Sequence, residues 1–259
     1  MRSRSLWEKV RIMAATLDTS PQKNRILAAL PQAECDRFFA SLQPVSLAQR
    51  QVLYEVGAPL ECIYFIEGGI ASVLTSMTDG STIEVGMIGR EGLVGAAALL
   101  GGEVSAQHVI IQAPSTALRM KAAECRAAFE QSAAVRAPVL RYVQTLLDLS
   151  AQTAACNRLH SIEQRCARWL LMARDRLDDD IMPMTHEFLS TMLGVRRAGV
   201  TETVGVLHRS GLIQNHRGAV IILDREGLEA AACECYRIDH ERLMRLLSST
   251  DAPRLGQTN

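Results

Sequence analysis

No glycine occurs from Glu103 through Leu193, and no proline lies between Pro138 and Pro183. The chain has 259 residues and 17 glycines. So long a stretch without either breaker constrains the fold more than any other feature, because glycine and proline interrupt helices wherever they fall inside one. Within it Val135, Val139, Val143, Leu146, Ser150, Thr153 and Asn157 recur every three or four positions, and Leu140, Leu147 and Ala154 widen the stripe. This period predicts one helix over 132–159, roughly 40 Å long at 1.5 Å per residue. That exceeds an ordinary globular helix, and its apolar seam needs a partner: the protein's own sheet, or a second copy of the same helix. A dimer seam through those seven residues is the expectation; the alternative is a core helix of a single domain. A second helix is expected from Ser161 to about Arg176, broken by Asp178-Asp179-Asp180, which reads as a solvated loop before Pro183.

The preceding part has a different texture. VLYEV, CIYFIE, IASVLTS, TIEVGMI, HVIIQA and TALRM, between Val52 and Met120, are rich in Val, Ile, Tyr and Thr. Gly57-Ala58-Pro59, Gly68-Gly69, Asp79-Gly80, Gly101-Gly102 and Pro114 read as the turns between them, with Asp79-Gly80 a strong hairpin signal. Short strands at this spacing predict an antiparallel barrel or roll. Helices flank it at Asn24–Leu30, Gln32–Leu42 and Lys121–Gln131.

Residues 184–223 carry the most specific pattern. Thr185 is placed to cap a short helix, Leu189 and Leu193 share one face, and Gly194 can take the positive φ of a tight inter-helix turn. A second helix is expected from about Arg196, with Val200, Val204 and Leu207 inward and Arg196, Arg197, Ala198 and Thr201 outward on its first turn. This is helix-turn-helix spacing. Leu212-Ile213 and Ala219–Leu223 then read as a hairpin whose tip holds His216 and Arg217, a wing beside the groove. An arginine on the first turn of a major-groove helix can pair bidentately with guanine. Arg197 is therefore the candidate base reader, with Arg196, Ala198 and Thr201 beside it; Thr203, Arg209, His216 and Arg217 are phosphate-side candidates.

Charge does not oppose this reading. Lysine plus arginine and aspartate plus glutamate both number 28, so net charge is zero. Residues 25–130 carry seven basic and eleven acidic groups, whereas 131–177 carry seven basic and three acidic. Neutrality is thus a cancellation between an acidic first half and a basic middle, and it excludes only a globally basic coat. No apolar run reaches the roughly 20 residues of a membrane span, and Glu8 and Lys9 interrupt any signal-peptide core, so a cytoplasmic protein with no membrane partner is expected. The seven cysteines, at 35, 62, 125, 156, 166, 233 and 235, are odd in number in a long chain, which argues against a secreted disulfide framework. Cys233-x-Cys235 lacks a second pair at zinc-site spacing, and no metal site is assigned from sequence.

The block from Gly194 to Ile213, with Tyr64-Phe65-Ile66-x-Gly68-Gly69, Asp79-Gly80 and Gly92-Leu93-Val94-Gly95 before it, resembles the Crp/Fnr family of bacterial transcription regulators across residues 25–235. The resemblance implies an α+β chain: an N-terminal antiparallel β-roll of cyclic-nucleotide-binding type, a long dimerisation helix and a C-terminal winged helix-turn-helix. The expected division is an N-terminal extension (1–24), a β-roll sensor (25–131), the dimerisation helix (132–159), the DNA-binding unit (160–235) and a C-terminal tail (236–259). Implied partners are double-stranded DNA, a second copy of the chain and, for an activator, RNA polymerase. The cAMP-binding members use a glutamate for the ribose hydroxyl and an arginine for the cyclic phosphate. Here Gly95-Ala96-Ala97 and Val104-Ser105 occupy those places, so cAMP is not expected to bind, and no cofactor is assigned. Cys35 and Cys62 do not supply the iron–sulfur cluster of the oxygen-sensing members, and His108 reads as structural rather than as a haem ligand. Ala198 and Glu202 depart from the family's usual base-reading residues, so the target sequence should differ. The competing reading is a ligand-binding or protein-interaction module with a degenerate DNA-binding domain. No nucleophile elbow, phosphate loop or dinucleotide fingerprint supports an enzyme.

Overall fold

A computed structural model describes residues 23–248 except 178 and 217. Arg217 and all but the last two residues of the expected N-terminal extension therefore lie outside the described residues. Asn24, assigned to that extension, is fully buried. It caps helix α1 (Arg25–Ala28) by accepting from Ile26 and Leu27 N–H, and its Nδ2 donates to the carbonyls of Ile66 and Gly92, both at 2.8 Å. The sensor unit thus begins one residue before the expected boundary. Helix α2 (Gln32–Phe39) follows.

The roll is one antiparallel sheet in the order β1 (Gln43–Leu47), β6 (His108–Lys121), β3 (Cys62–Ser76), β4 (Thr82–Ile88); β2 (Val52–Tyr54) pairs with β6, and β5 (Leu93–Val94) with β3. The Asp79-Gly80 hairpin forms as expected: Ser76 faces Thr82, Asp79 Oδ1 accepts from Ser81 N–H at 2.9 Å, and Gly80 has φ +83.

Gly68-Gly69 and Pro114 are not turns, contrary to expectation. They lie inside two long strands, of 15 and 14 residues, that run past each other with register shifts at Ile66/Gly68 and Gly68/Ile70. A side chain at Gly69 (φ +82) would meet the Pro114 carbonyl at 2.3 Å. The glycine admits the close approach of a bulge, and the proline sits where the ladder is already broken.

After β6, α3 (Ala122–Gln131) leads into α4 (Ala133–Leu159), capped by Ser132 Oγ accepting from Val135 N–H. This is the predicted long helix. The seam divides, however. Val135 and Val139 are 2% and 1% exposed, in the core the roll shares with Tyr142. Leu146 is half-buried against that core, and Thr153 Oγ1 accepts from Arg168 at 2.9 Å. These four serve the chain's own interior. The outward line is Leu140, Val143, Leu147, Ser150, Ala154 and Asn157, spaced three and four alternately, with Leu140 44% and Leu147 62% exposed.

The second unit holds α5 (Ile162–Leu177), α6 (His186–Leu193), α7 (Arg197–Arg209), α8 (Arg225–Ala231) and a three-stranded sheet ordered β7 (Ile181–Met182), β9 (Ala219–Ile222), β8 (Ile213–His216). Its core, around Leu170, Leu171, Met182, Leu189, Val200, Val204, Leu207 and Ile213, is continuous with Ile70, Leu74 and Met87 of the roll. The acidic loop is partly tied down: Asp180 pairs with Arg174 at 2.9 Å, and Asp179 accepts from Ile181 N–H; Asp178 lies outside the described residues. The described part of the expected C-terminal tail belongs to a helix, α9 (Cys235–Ser248), packed along α4 and α5, and residues 249–259 lie outside the described residues. Arg242 donates to the Asp148 carbonyl at 3.2 Å, and Arg168 to Asp239 at 2.6 Å.

Candidate nucleic-acid interface

The helix-turn-helix is built as its residues suggest. Thr185 Oγ1 accepts from Phe188 N–H at 3.1 Å and starts α6. Gly194 (φ 62, ψ 40) ends α6 in the left-handed region, and Val195 N–H returns to the Ser190 carbonyl at 3.1 Å. Arg196 occupies the N-cap of α7 rather than its first turn, so the helix proper starts at Arg197. Val200, Val204 and Leu207 face the core at 0–3% exposure.

On the opposite face Arg196, Arg197, Ala198, Thr201 and Glu202 are all exposed. Arg197 Nε stands 3.7 Å from Glu187 on α6, with both side chains about 70% exposed. So exposed a pair is loosely held. Thr201 Oγ1 donates to the Arg197 carbonyl at 3.1 Å and lies 3.1 Å from His186 Nδ1. Arg209 and His216 are exposed, at the end of α7 and the end of the wing strand. At the wing His216 pairs with Ala219, and Gly218 has φ +82. Thr203 is the exception among the described phosphate-side candidates. It is 1% exposed, because it lies three residues beyond Val200 and beside Val204 on the inward face. It has no access to a phosphate, and the helical period alone places it inward.

In the roll, the loop where a cyclic nucleotide would sit is defined by Gly95 (φ 96), the short 3-10 helix Ala96–Leu100 and Gly101 (φ 94). Ala96 and Ala97 offer only methyl groups there, and Val104 is 54% exposed. Ser105 is buried, its hydroxyl donating to the Gln107 carbonyl at 2.7 Å. A residue the sequence did not single out, Arg126 on α3, holds this loop: its Nε donates to the Ala98 carbonyl at 2.9 Å. His108 Nδ1 lies 2.7 Å from Glu55, an exposed pairing.

The two units meet through charged groups out of water. Arg176 on α5 pairs with Glu91 at 2.7 Å, and Trp169 Nε1 donates to Glu84 on β4 at 2.5 Å. Burial pushes the Glu84 carboxyl up from 4.5 to about 7, outweighing hydrogen bonds from Ser72 and Trp169 and the fields of Arg176 and Arg168. A carboxyl raised in the folded state stabilises it fully below its unfolded value and loses that contribution as pH climbs through about 7. Glu84→Gln, which stays neutral, should therefore flatten the fall in stability from about pH 5 to about pH 8 by on the order of 2–3 kcal/mol. Thermal melts of both proteins at the two pH values check this; parallel curves would contradict it.

Cys233 and Cys235 are not alone, as their sequence neighbourhood suggested. The last two turns of α4 bring Cys156 and His160 to them, and the four ligand-type atoms lie within 4.8 Å of one another.

Comparison with known proteins agrees with this architecture. A model for the cyclic nucleotide-binding domain matches residues 44–132, and one for the Crp-like helix-turn-helix domain matches 164–231. Among solved structures, FixK2 from Bradyrhizobium japonicum superposes with TM-score 0.64 at 16% identity, over 74% of this chain and 98% of that one. A CRP-family transcriptional regulator from Thermus thermophilus gives 0.63 at 20% identity, over 73% and 96%. The c-di-GMP responsive global regulator CLP of Xanthomonas campestris gives 0.61 at 16%, over 74% and 99%. No curated protein matches the sequence significantly. A nucleotide-binding-type roll joined by a long helix to a winged helix-turn-helix defines a transcription regulator. The chain belongs to the Crp/Fnr family. Among the described residues no helix is long and apolar enough to cross a membrane.

Proposed function

We propose that the protein is a homodimeric regulator that reads an inverted-repeat DNA site through two α7 helices in successive major grooves, about one turn (roughly 10 bp) apart. The observation that carries this is the outward-facing N-terminal end of α7, with its N-cap. It presents Arg196, Arg197, Ala198 and Thr201 together to solvent, on a helix whose other face is locked into the core. Arg197 suits a guanine contact, Ala198 can touch a thymine methyl, and Arg209 and His216 flank the groove toward the phosphates. Pairing runs through Leu140, Val143, Leu147, Ser150, Ala154 and Asn157, whose alternating spacing fits a helix–helix seam. RNA polymerase is a partner if the protein activates.

Arg197→Ala should weaken binding to the preferred site by about 1–3 kcal/mol and relax specificity at one position. Competition gel shifts with selected and random DNA measure this. Equal losses on both DNAs would make Arg197 a phosphate contact.

The signal sensed is not cAMP. Neither Ala96, Ala97 nor Val104 can neutralise a cyclic phosphate or accept from a ribose hydroxyl. Isothermal titration should give no micromolar cAMP affinity; finding it would contradict this assignment.

A further inference from the structure

We propose that Cys156, His160, Cys233 and Cys235 form a zinc site that clamps the end of the long helix to the C-terminal end of the DNA-binding unit. Cys156 and His160 stand one turn apart at the end of α4, His160 being its C-cap. Cys233 lies between α8 and α9, and Cys235 is the first residue of α9. Cys156 Sγ is 3.5 Å from Cys233 Sγ, and Cys235 Sγ is 3.6 Å from His160 Nδ1. A tetrahedral zinc with bonds of about 2.3 Å to sulfur and about 2.0 Å to nitrogen has edges of roughly 3.8 Å between sulfurs and roughly 3.5 Å from sulfur to nitrogen. The two observed separations match those edges. The span of 4.8 Å suits a single ion, not a multi-iron cluster.

The surroundings fit the same chemistry. Glu234 Oε2 lies 3.2 Å from His160 Nε2, so a carboxylate can orient the ring and leave Nδ1 for the metal. Gln152 Nε2 donates to Cys235 Sγ at 3.1 Å, a hydrogen bond that favours a thiolate. The three cysteines form a cluster of their own, apart from the two apolar cores. Burial raises the Cys125 and Cys166 thiols to about 12, as expected of inert core cysteines. Three thiolates and a neutral imidazole make a closed, soft donor set, which selects zinc for a structural role.

The clamp spans the connection between α4 and α5, where the long helix hands over to the DNA-binding unit. Metal at this point fixes the angle between them and holds α9 against α4.

The test uses the full chain purified without chelator and then equilibrated with zinc. Elemental mass spectrometry should find one zinc per chain. Cobalt substitution should give the visible bands of a tetrahedral site and a thiolate charge-transfer band. Cys156→Ser and Cys233→Ser should each lose the metal. His160→Cys should keep it while His160→Ala does not, and Cys62→Ser should retain it fully. Stripping the wild type with a chelator should lower its Tm, and zinc should restore it. The proposal is overturned if wild type holds no more zinc than Cys156→Ser. It is overturned equally if a Cys156–Cys233 disulfide forms in place of metal binding under those conditions, or if cobalt gives an octahedral spectrum without thiolate bands.

Discussion

Leu147→Asp should yield a folded chain that no longer pairs, and specific DNA affinity should fall by at least about 10³-fold, to the level of non-specific binding. The side chain is 62% exposed on α4, so the substitution leaves the chain's own core intact. In the proposed dimer it places two carboxylates in the middle of the helix–helix seam, where charge is desolvated with no cation to meet it. A monomer has one α7 helix and one half-site, so most of the specific binding free energy is lost with the second. Sedimentation and gel shift, measured on the same preparation, should show both losses together. Val139→Asp is the contrasting variant: at 1% exposure it should destabilise the fold itself. A Leu147→Asp protein that remains dimeric with full affinity would place the pairing surface elsewhere.

Asp239→Ala should cost about 3–5 kcal/mol of stability, the usual penalty for stranding one partner of a buried ion pair. Asp239 on α9 is 1% exposed and accepts from Arg168 Nη2 at 2.6 Å and Nε at 3.1 Å. Arg168 is 6% exposed on α5 and also donates to Thr153 on α4. Three helices thus converge on one guanidinium, and removing the carboxylate leaves it charged in the interior. Replacing both partners together, Arg168→Met with Asp239→Leu, should recover most of the loss, because an apolar pair of similar volume needs no compensation. Chemical denaturation of the two single variants and the double variant measures this. A single-variant loss below about 1 kcal/mol would mean that water reaches the arginine.

The DNA-facing element is legible in sequence because its signals are local. Thr185, Gly194 and the inward spacing of Val200, Val204 and Leu207 each act within a few residues, and each takes its expected place. Thr203 does not, although the same period puts it inward. The long helix is legible in extent but not in facing: Val135 and Val139 belong to the same stripe as Val143, and only the tertiary contact with the roll separates them. The continuous strands through Gly68-Gly69 and Pro114 are hidden because bulge residues and turn residues have the same composition. The cluster of Cys156 and Cys233 is beyond sequence reading for a simple reason. The two cysteines are 77 residues apart, and nothing local to Cys233-x-Cys235 marks its partners. Helix α9 carries no clear cap or turn signal in the sequence, yet its Asp239 anchors it through the buried pair with Arg168.

Selection from random-sequence DNA, followed by affinity measurement on the enriched sites, tests the central assignment most directly. An enriched inverted repeat with half-sites about one helical turn apart, bound two chains per site, is the predicted result. Affinity should fall with salt, but moderately, because each subunit offers few cations to phosphate. Enrichment of no motif, with binding no tighter than to random DNA, would contradict it and favour a protein-interaction module with a degenerate DNA-binding domain.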